Sequence, residues 1–109
     1  MQARSVRRTG LSIHVALLTL TDRHGNIPST SSLKMGMKRL KDCVVGSLRK
    51  GDVVSPYSAA QLVIMLPLTT YEDGNMVLNR IAKKFDGLQQ NMMLRLHSRL
   101  SALAPIDLI

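Results

Sequence analysis

The chain has 109 residues, 45% hydrophobic and 20% charged, a composition that supports one globular domain with its own core and gives no sign of a second. With no Trp, one Phe, two Tyr and seven Met, the core must be aliphatic, and aromatic platforms for stacking bases are scarce. A net charge of +8 attracts nucleic acid, anionic membrane or acidic partners through the summed field but specifies none of them. The lone Cys43 excludes an internal disulfide and fits a reducing compartment. No apolar run approaches the ~20 residues of a membrane helix, and no signal-peptide core is present, so a cytoplasmic chain without membrane partners is expected.

In chain order, residues 1–10 read as the basic end of a preceding helix, stopped by Gly10. Ser12 to Leu20, "SIHVALLTL", is nearly continuous in apolar residues, as in a strand packed centrally or covered on both faces. The segment "TDRHGNIPSTSS" then reads as a loop leading to a helix N-cap at Ser31 or Ser32. In the helix that follows, Leu33, Met37, Leu40, Val44 and Leu48 form one apolar stripe, and Lys34, Lys38 and Lys41 form a separate basic one. Gly36 and Gly46 are candidates for close packing on a sheet, and the helix is expected to end near Lys50 and Gly51.

"DVVSPY" is a short β-branched run whose Pro56 cannot donate to a ladder, which predicts an edge strand. "QLVIML", closed by Pro67, predicts an interior strand joined to it by a turn at Ser58 to Ala60. Thr70 followed by Asp73 matches a capping box, and Val77, Ile81, Phe85 and Leu88 give the next helix its apolar face. Lys83 and Lys84 suit that helix's own C-terminal dipole, and Gly87 can end it. From Met92 to Leu100 apolar and polar residues alternate as in a half-exposed strand, leaving residues 102–109 as a tail. The order strand, helix, strand, strand, helix, strand predicts an α+β, ferredoxin-like split βαβ fold. Such a fold has a four-stranded antiparallel sheet, two helices on one face, and the first and third strands central.

The runs "QARSVRRTGLSIHVALLTLTD", "LRKGDVVSPYSAAQLVIMLP" and "MVLNRIAKKF" resemble the GGDEF family of nucleotide-cyclase-like domains, whose hairpin reads R-Y-G-G-D-E-F-x-x-L-L-P; the similarity spans residues 3 to 100. The chain is more similar still to the degenerate GGDEF-like domain at the C-terminus of some bacterial regulators that carry a bacterial transcriptional activator domain. There, "LRxGDVVxxYSxxQFxxxLP" precedes residues like Tyr71, Glu72, Met76 and Val77 here. The resemblance implies a domain over residues 11–101 whose active members hold two divalent ions on carboxylates at the end of the first strand and in the hairpin. At those positions this chain has Thr19, and Ser58, Ala59, Ala60 and Gln61 for the Gly, Gly, Asp and Glu. The implied reading is a non-enzyme with no catalytic residue, metal or cofactor.

Other residues carry blander readings. His14, His24 and His97 match no zinc spacing, Cys43 has no evident catalytic partner, and "DRHGN" lacks the pattern of a phosphate loop and reads as a turn. Asp22 and Asp52 read as turn or cap residues. The expected function is a non-catalytic regulatory or protein-interaction domain of a bacterial transcription regulator, contacting a protein partner or other domains of that regulator, with a homodimer allowed. Lys34, Lys38 and Lys41 are the candidate contact surface, and nucleic acid is expected to bind non-specifically. The alternatives are a basic α/β nucleic-acid-binding module and a residual nucleotide binder.

Overall fold

The computed structural model describes residues 12–88 and 93–103. In it β1 (Ser12–Thr21), α1 (Thr30–Val45), β2 (Val53–Ser58), β3 (Gln61–Thr69), α2 (Tyr71–Leu88) and β4 (Arg95–Ala102) follow one another. The strands form one antiparallel sheet in the order β2-β3-β1-β4, so the apolar runs of β1 and β3 are central and the Pro56 strand is an edge. That is the α+β split βαβ arrangement. The basic stub at residues 1–10, Met92 and the tail from 104 onward lie outside the described residues.

Alternation along the central strands sets the core. Ala16, Leu18 and Leu20 of β1 and Leu62, Ile64 and Leu66 of β3 are buried together with Leu33, Leu40, Cys43 and Val44 of α1 and Val77, Leu78, Ile81 and Phe85 of α2. His14 is also buried on this face, with its ring 6.1 Å from that of Tyr71. Gly74, buried in α2, leaves no room for a side chain against β4: a Cβ there would stand 2.9 Å from Leu100 Cδ2. Gly36 is also buried, whereas Gly46 is exposed at the end of α1.

The element ends differ from the sequence expectation, each for a physical reason. α1 starts at Thr30 with Ser29 as N-cap, not Ser31 or Ser32, and Ser29 makes no side-chain cap bond. Consecutive hydroxyl residues offer equivalent caps, so the packing of Leu33 and the backbone bond from Leu33 N–H to the Ser29 carbonyl (2.8 Å) decide the start. α1 ends at Val45 with Gly46 as C-cap, well before Lys50. Leu48 still packs on the core from the following turn, which is why the apolar stripe overruns the helix. A tight turn then runs from Arg49 to Asp52, closed by the Asp52 N–H on the Arg49 carbonyl at 3.0 Å, with Gly51 at φ +97.

Pro67 does not close β3. The strand continues to Thr69 through a register shift against β1 between the Ser12 and His14 pairings, with Leu68 at φ 49. A bulge tolerates a residue that lacks a ladder donor. The Thr70 half of the capping box forms, with Thr70 Oγ1 accepting the Asp73 N–H at 3.0 Å, but α2 runs through Gly87 to Leu88. Lys84 does not serve its own helix end: its Nζ donates to the Gly46 carbonyl at 3.4 Å, while Arg39 Nη1 of α1 donates to the Leu88 carbonyl at 2.6 Å. Each helix end therefore has one terminal carbonyl met by a cation from the other helix. Ala102 belongs to β4, not to the tail, because it pairs with His14.

Candidate functional site at the β2–β3 hairpin

Ser58 and Gln61 pair across a two-residue turn of Ala59 and Ala60. Neither alanine has positive φ, so the turn needs no glycine. Buried Ala60 ties the hairpin to the neighbouring strand, its carbonyl accepting the Leu20 N–H at 2.9 Å. The register then sets Gln61 directly beside Thr19, and Thr19 beside His97 of β4. The sequence-derived positions Thr19, Ser58, Ala59, Ala60 and Gln61 thus converge from three strands and one turn.

Their side chains satisfy one another. Ser58 Oγ donates to Gln61 Oε1 at 2.9 Å, and Gln61 Nε2 donates to Thr19 Oγ1 at 3.1 Å. The Ala60 N–H approaches Ser58 Oγ at 3.4 Å. This chain of hydroxyl, amide and hydroxyl is neutral throughout. Hard divalent cations such as magnesium and calcium favour charged oxygen ligands, and none stands here. Among the described residues no three His, Cys, Asp or Glu side chains come together in a metal-binding group.

The nearby carboxylates have other partners. Asp22 Oδ1 accepts the backbone N–H of His24 at 2.8 Å and of Asn26 at 2.9 Å, closing the "DRHGN" turn around Gly25 at φ 84. The Asn26 amide, with smaller help from His24, holds the Asp22 carboxyl below its ordinary value. Asp52 accepts the Arg49 N–H at 2.8 Å and pairs with Arg49 Nε at 3.4 Å. Arg49 also reaches the buried Thr69 hydroxyl, linking this turn to the end of β3.

Beside the hairpin lies a shallow cavity of about 440 Å³, lined by Leu17, Thr19, Thr21, Gly25, His97, Ser98 and Arg99. Thr21 Oγ1 and His97 Nε2 share a hydrogen bond of 2.8 Å, and Arg95 pairs with Thr21 in the ladder. The β4 column of Arg95, His97 and Arg99 was legible only as polar positions in an alternating strand. Its neighbourhood with Thr19 depends on pairing across 78 residues, which no local pattern reveals.

The other candidates lie elsewhere. Lys34, Lys38 and Lys41 are exposed on α1, in the layer on the far side of the sheet from Thr19 and Gln61. The three histidines are dispersed: His14 in the core, His24 in a turn, His97 on β4. Cys43 is buried, and desolvation pushes its thiol above the ordinary value despite nearby Lys84, the environment of an inert apolar cysteine.

No family model and no curated protein matches the chain. Solved structures do. A DGC protein from Thermotoga maritima superposes with a TM-score of 0.68 at 10% identity, covering 91% of this chain and 70% of the other. The S helix-GGDEF-EAL portion of Vibrio cholerae LapD, bound to c-di-GMP, gives 0.59 at 16% identity, over 93% of this chain and 24% of the other. PelD from Pseudomonas aeruginosa gives 0.56 at 21% identity over 90% of this chain, which spans 34% of that structure. The LapD structure includes a GGDEF domain, and at these identities the likeness is one of fold: the fold of this chain is GGDEF-like. No described helix is long and apolar enough to cross a membrane.

Proposed function

We propose that this chain is a non-catalytic regulatory domain that works by contact, built on a GGDEF-like fold and belonging to a cytoplasmic bacterial transcription regulator. The observation that carries the reading is the neutral Ser58, Gln61 and Thr19 network at the point where the resemblance expects metal-holding carboxylates. A two-metal phosphoryl-transfer site needs charged oxygens to hold ions that neutralise phosphate. Here an amide and two hydroxyls satisfy one another instead. Ser58 and Ala59 also carry Cβ atoms where the family's hairpin has two glycines, which bars a phosphate from close backbone approach. Partners are a protein or the neighbouring domains of the same regulator. The regulator context rests on the runs around "LRKGDVVSPYS" and "YEDGNMV".

The test is turnover. The purified chain, incubated with magnesium or manganese and GTP or ATP, is expected to yield no cyclic product by chromatography beyond a heat-denatured control. Restoring aspartate alone, as Ala60→Asp, should leave it inactive, because a two-metal site depends on several ligands acting together. Reproducible product from the native chain refutes the reading.

A further inference from the structure

The helices cover one face of the sheet, and the other face has a distinct composition. Following the register across β2, β3, β1 and β4, successive rows are Val53, Met65, Val15 and Ser101, then Ser55, Val63, Leu17 and Arg99, then Ser58, Gln61, Thr19 and His97. Arg95 follows beside Thr21, and Ile13 lies one step beyond Val15 on the same face. The two central columns are thus aliphatic for most of their length. The β4 column is cationic or ionisable at three alternate positions, spaced about 7 Å apart.

A strand with apolar residues on both sides belongs in a sheet covered on both sides. In β1 and β3 that condition is met by sequence and left unmet by the described elements: Met65 is 43% exposed, Ile13 39% and Val53 55%. Val15, Leu17 and Val63 are half-exposed between them. Because this apolar surface is contiguous across three strands, it is a docking face rather than scattered exposure. Asp22, which follows Thr21 at the Arg95 end of this edge, is held by its own turn.

We propose that this open face receives one amphipathic helix of a partner, lying over β3 and β1 with an acidic flank against Arg95, His97 and Arg99. The inference rests on the contact-domain reading above and names the surface and the partner's chemistry. Geometry sets the occupant's width: strands lie about 4.8 Å apart and a helix with its side chains is about 10 Å across, so one helix spans two strands. Charge sets its flank. A second copy of the chain would bring another +8 molecule against a basic edge, and the sheet face carries no acid to meet it. A single-stranded nucleic acid would suit the cations, but its bases need aromatic platforms, and the central columns supply Val15, Leu17, Val63 and Met65 instead.

The experiment titrates the full isotope-labelled chain, at low salt, with two synthetic helices of about five turns. Both share one leucine stripe; one flank carries Glu in the first and Lys in the second. The Glu-flanked helix is expected to shift the amides of Val15, Leu17, Val63, Met65 and Arg99. It should bind about tenfold more tightly than its Lys counterpart, from partly exposed ion pairs with Arg95 and Arg99 in the one and like-charge repulsion in the other. Arg95→Glu with Arg99→Glu should reverse that preference. Should the double reversal fail to fold, Met65→Glu, an outward-facing change, must abolish binding while leaving the melting temperature near that of the wild type. Equal affinity for the two helices, no binding of either, or shifts confined to the Lys34, Lys38 and Lys41 stripe overturn the proposal. So does displacement by an oligonucleotide that contacts the same residues more tightly, or a self-dimer that buries Met65. Failure here with no cyclic product leaves the contact-domain reading intact on another surface, whereas cyclic product removes the reading itself.

Discussion

Val63 and Ile64 follow each other along β3, yet Ile64 is fully buried beneath the helices while Val63 is half-exposed on the opposite face. The same contrast holds along β1, where Leu18 is sealed in the core and Leu17 lines a shallow cavity beside Arg99. One face of the sheet holds the molecule together; the other displays aliphatic, hydroxyl and cationic groups that the described helices do not cover. Hydrophobicity alone does not distinguish the two faces in the central strands. What separates them is which layer lies above.

The sharpest way to break that comparison is to truncate each face in turn and measure unfolding by denaturant. Phe85→Ala and Ile64→Ala should each cost about 2–5 kcal/mol, because both side chains are fully enclosed and leave cavities. Val63→Ala should cost under ~1 kcal/mol, since its neighbourhood is half-open to water. Equal losses at Val63 and Ile64 would show that the second face is also covered in the free chain.

Gly74→Val tests the closeness of the helix layer to β4. A branched side chain directed at Leu100 should cost about 1–3 kcal/mol by overpacking, and Leu100→Ala in the same chain should recover part of it. A smaller effect, about 1 kcal/mol, is expected for Gln61→Ala, which leaves the Ser58 and Thr19 hydroxyls without their shared partner at a partly exposed site. Thermal melts of the single and paired Thr19→Val variants would show the coupling. Additive losses would mean that the network contributes nothing beyond its separate members.

The smallest effect is local and depends on pH. The Asp22 carboxyl is held below its ordinary value by the Asn26 and His24 amides, so the turn's stabilisation is complete above the unfolded carboxylate range. It is lost as pH falls through the lower folded value. Amide protection factors at His24 and Asn26, corrected for the intrinsic pH dependence of exchange, should fall over that acidic window and be nearly flat in Asp22→Asn. The global melting temperature should barely respond, because Asp22 sits in an exposed loop turn. A pH response spread over the sheet would place the loop within the cooperative core instead.

Periodicity and punctuation were enough to read the six elements, the central places of β1 and β3, the edge place of the Pro56 strand and the Thr70 hydroxyl cap of α2, because each depends on residues close in sequence. The "YSAAQ" turn and its want of carboxylates were legible for the same reason. Element ends were not, since Ser29, Ser31 and Ser32 offer like chemistry and Leu48 keeps the apolar rhythm after α1 has stopped. Only the tertiary structure decided that Gln61 bonds Thr19, that Lys84 and Arg39 serve each other's helix ends, and that Arg95, His97 and Arg99 line the open face beside Leu17. Those relations join residues 38 to 82 positions apart, where chain order carries no distance information and strand register and helix packing set every contact.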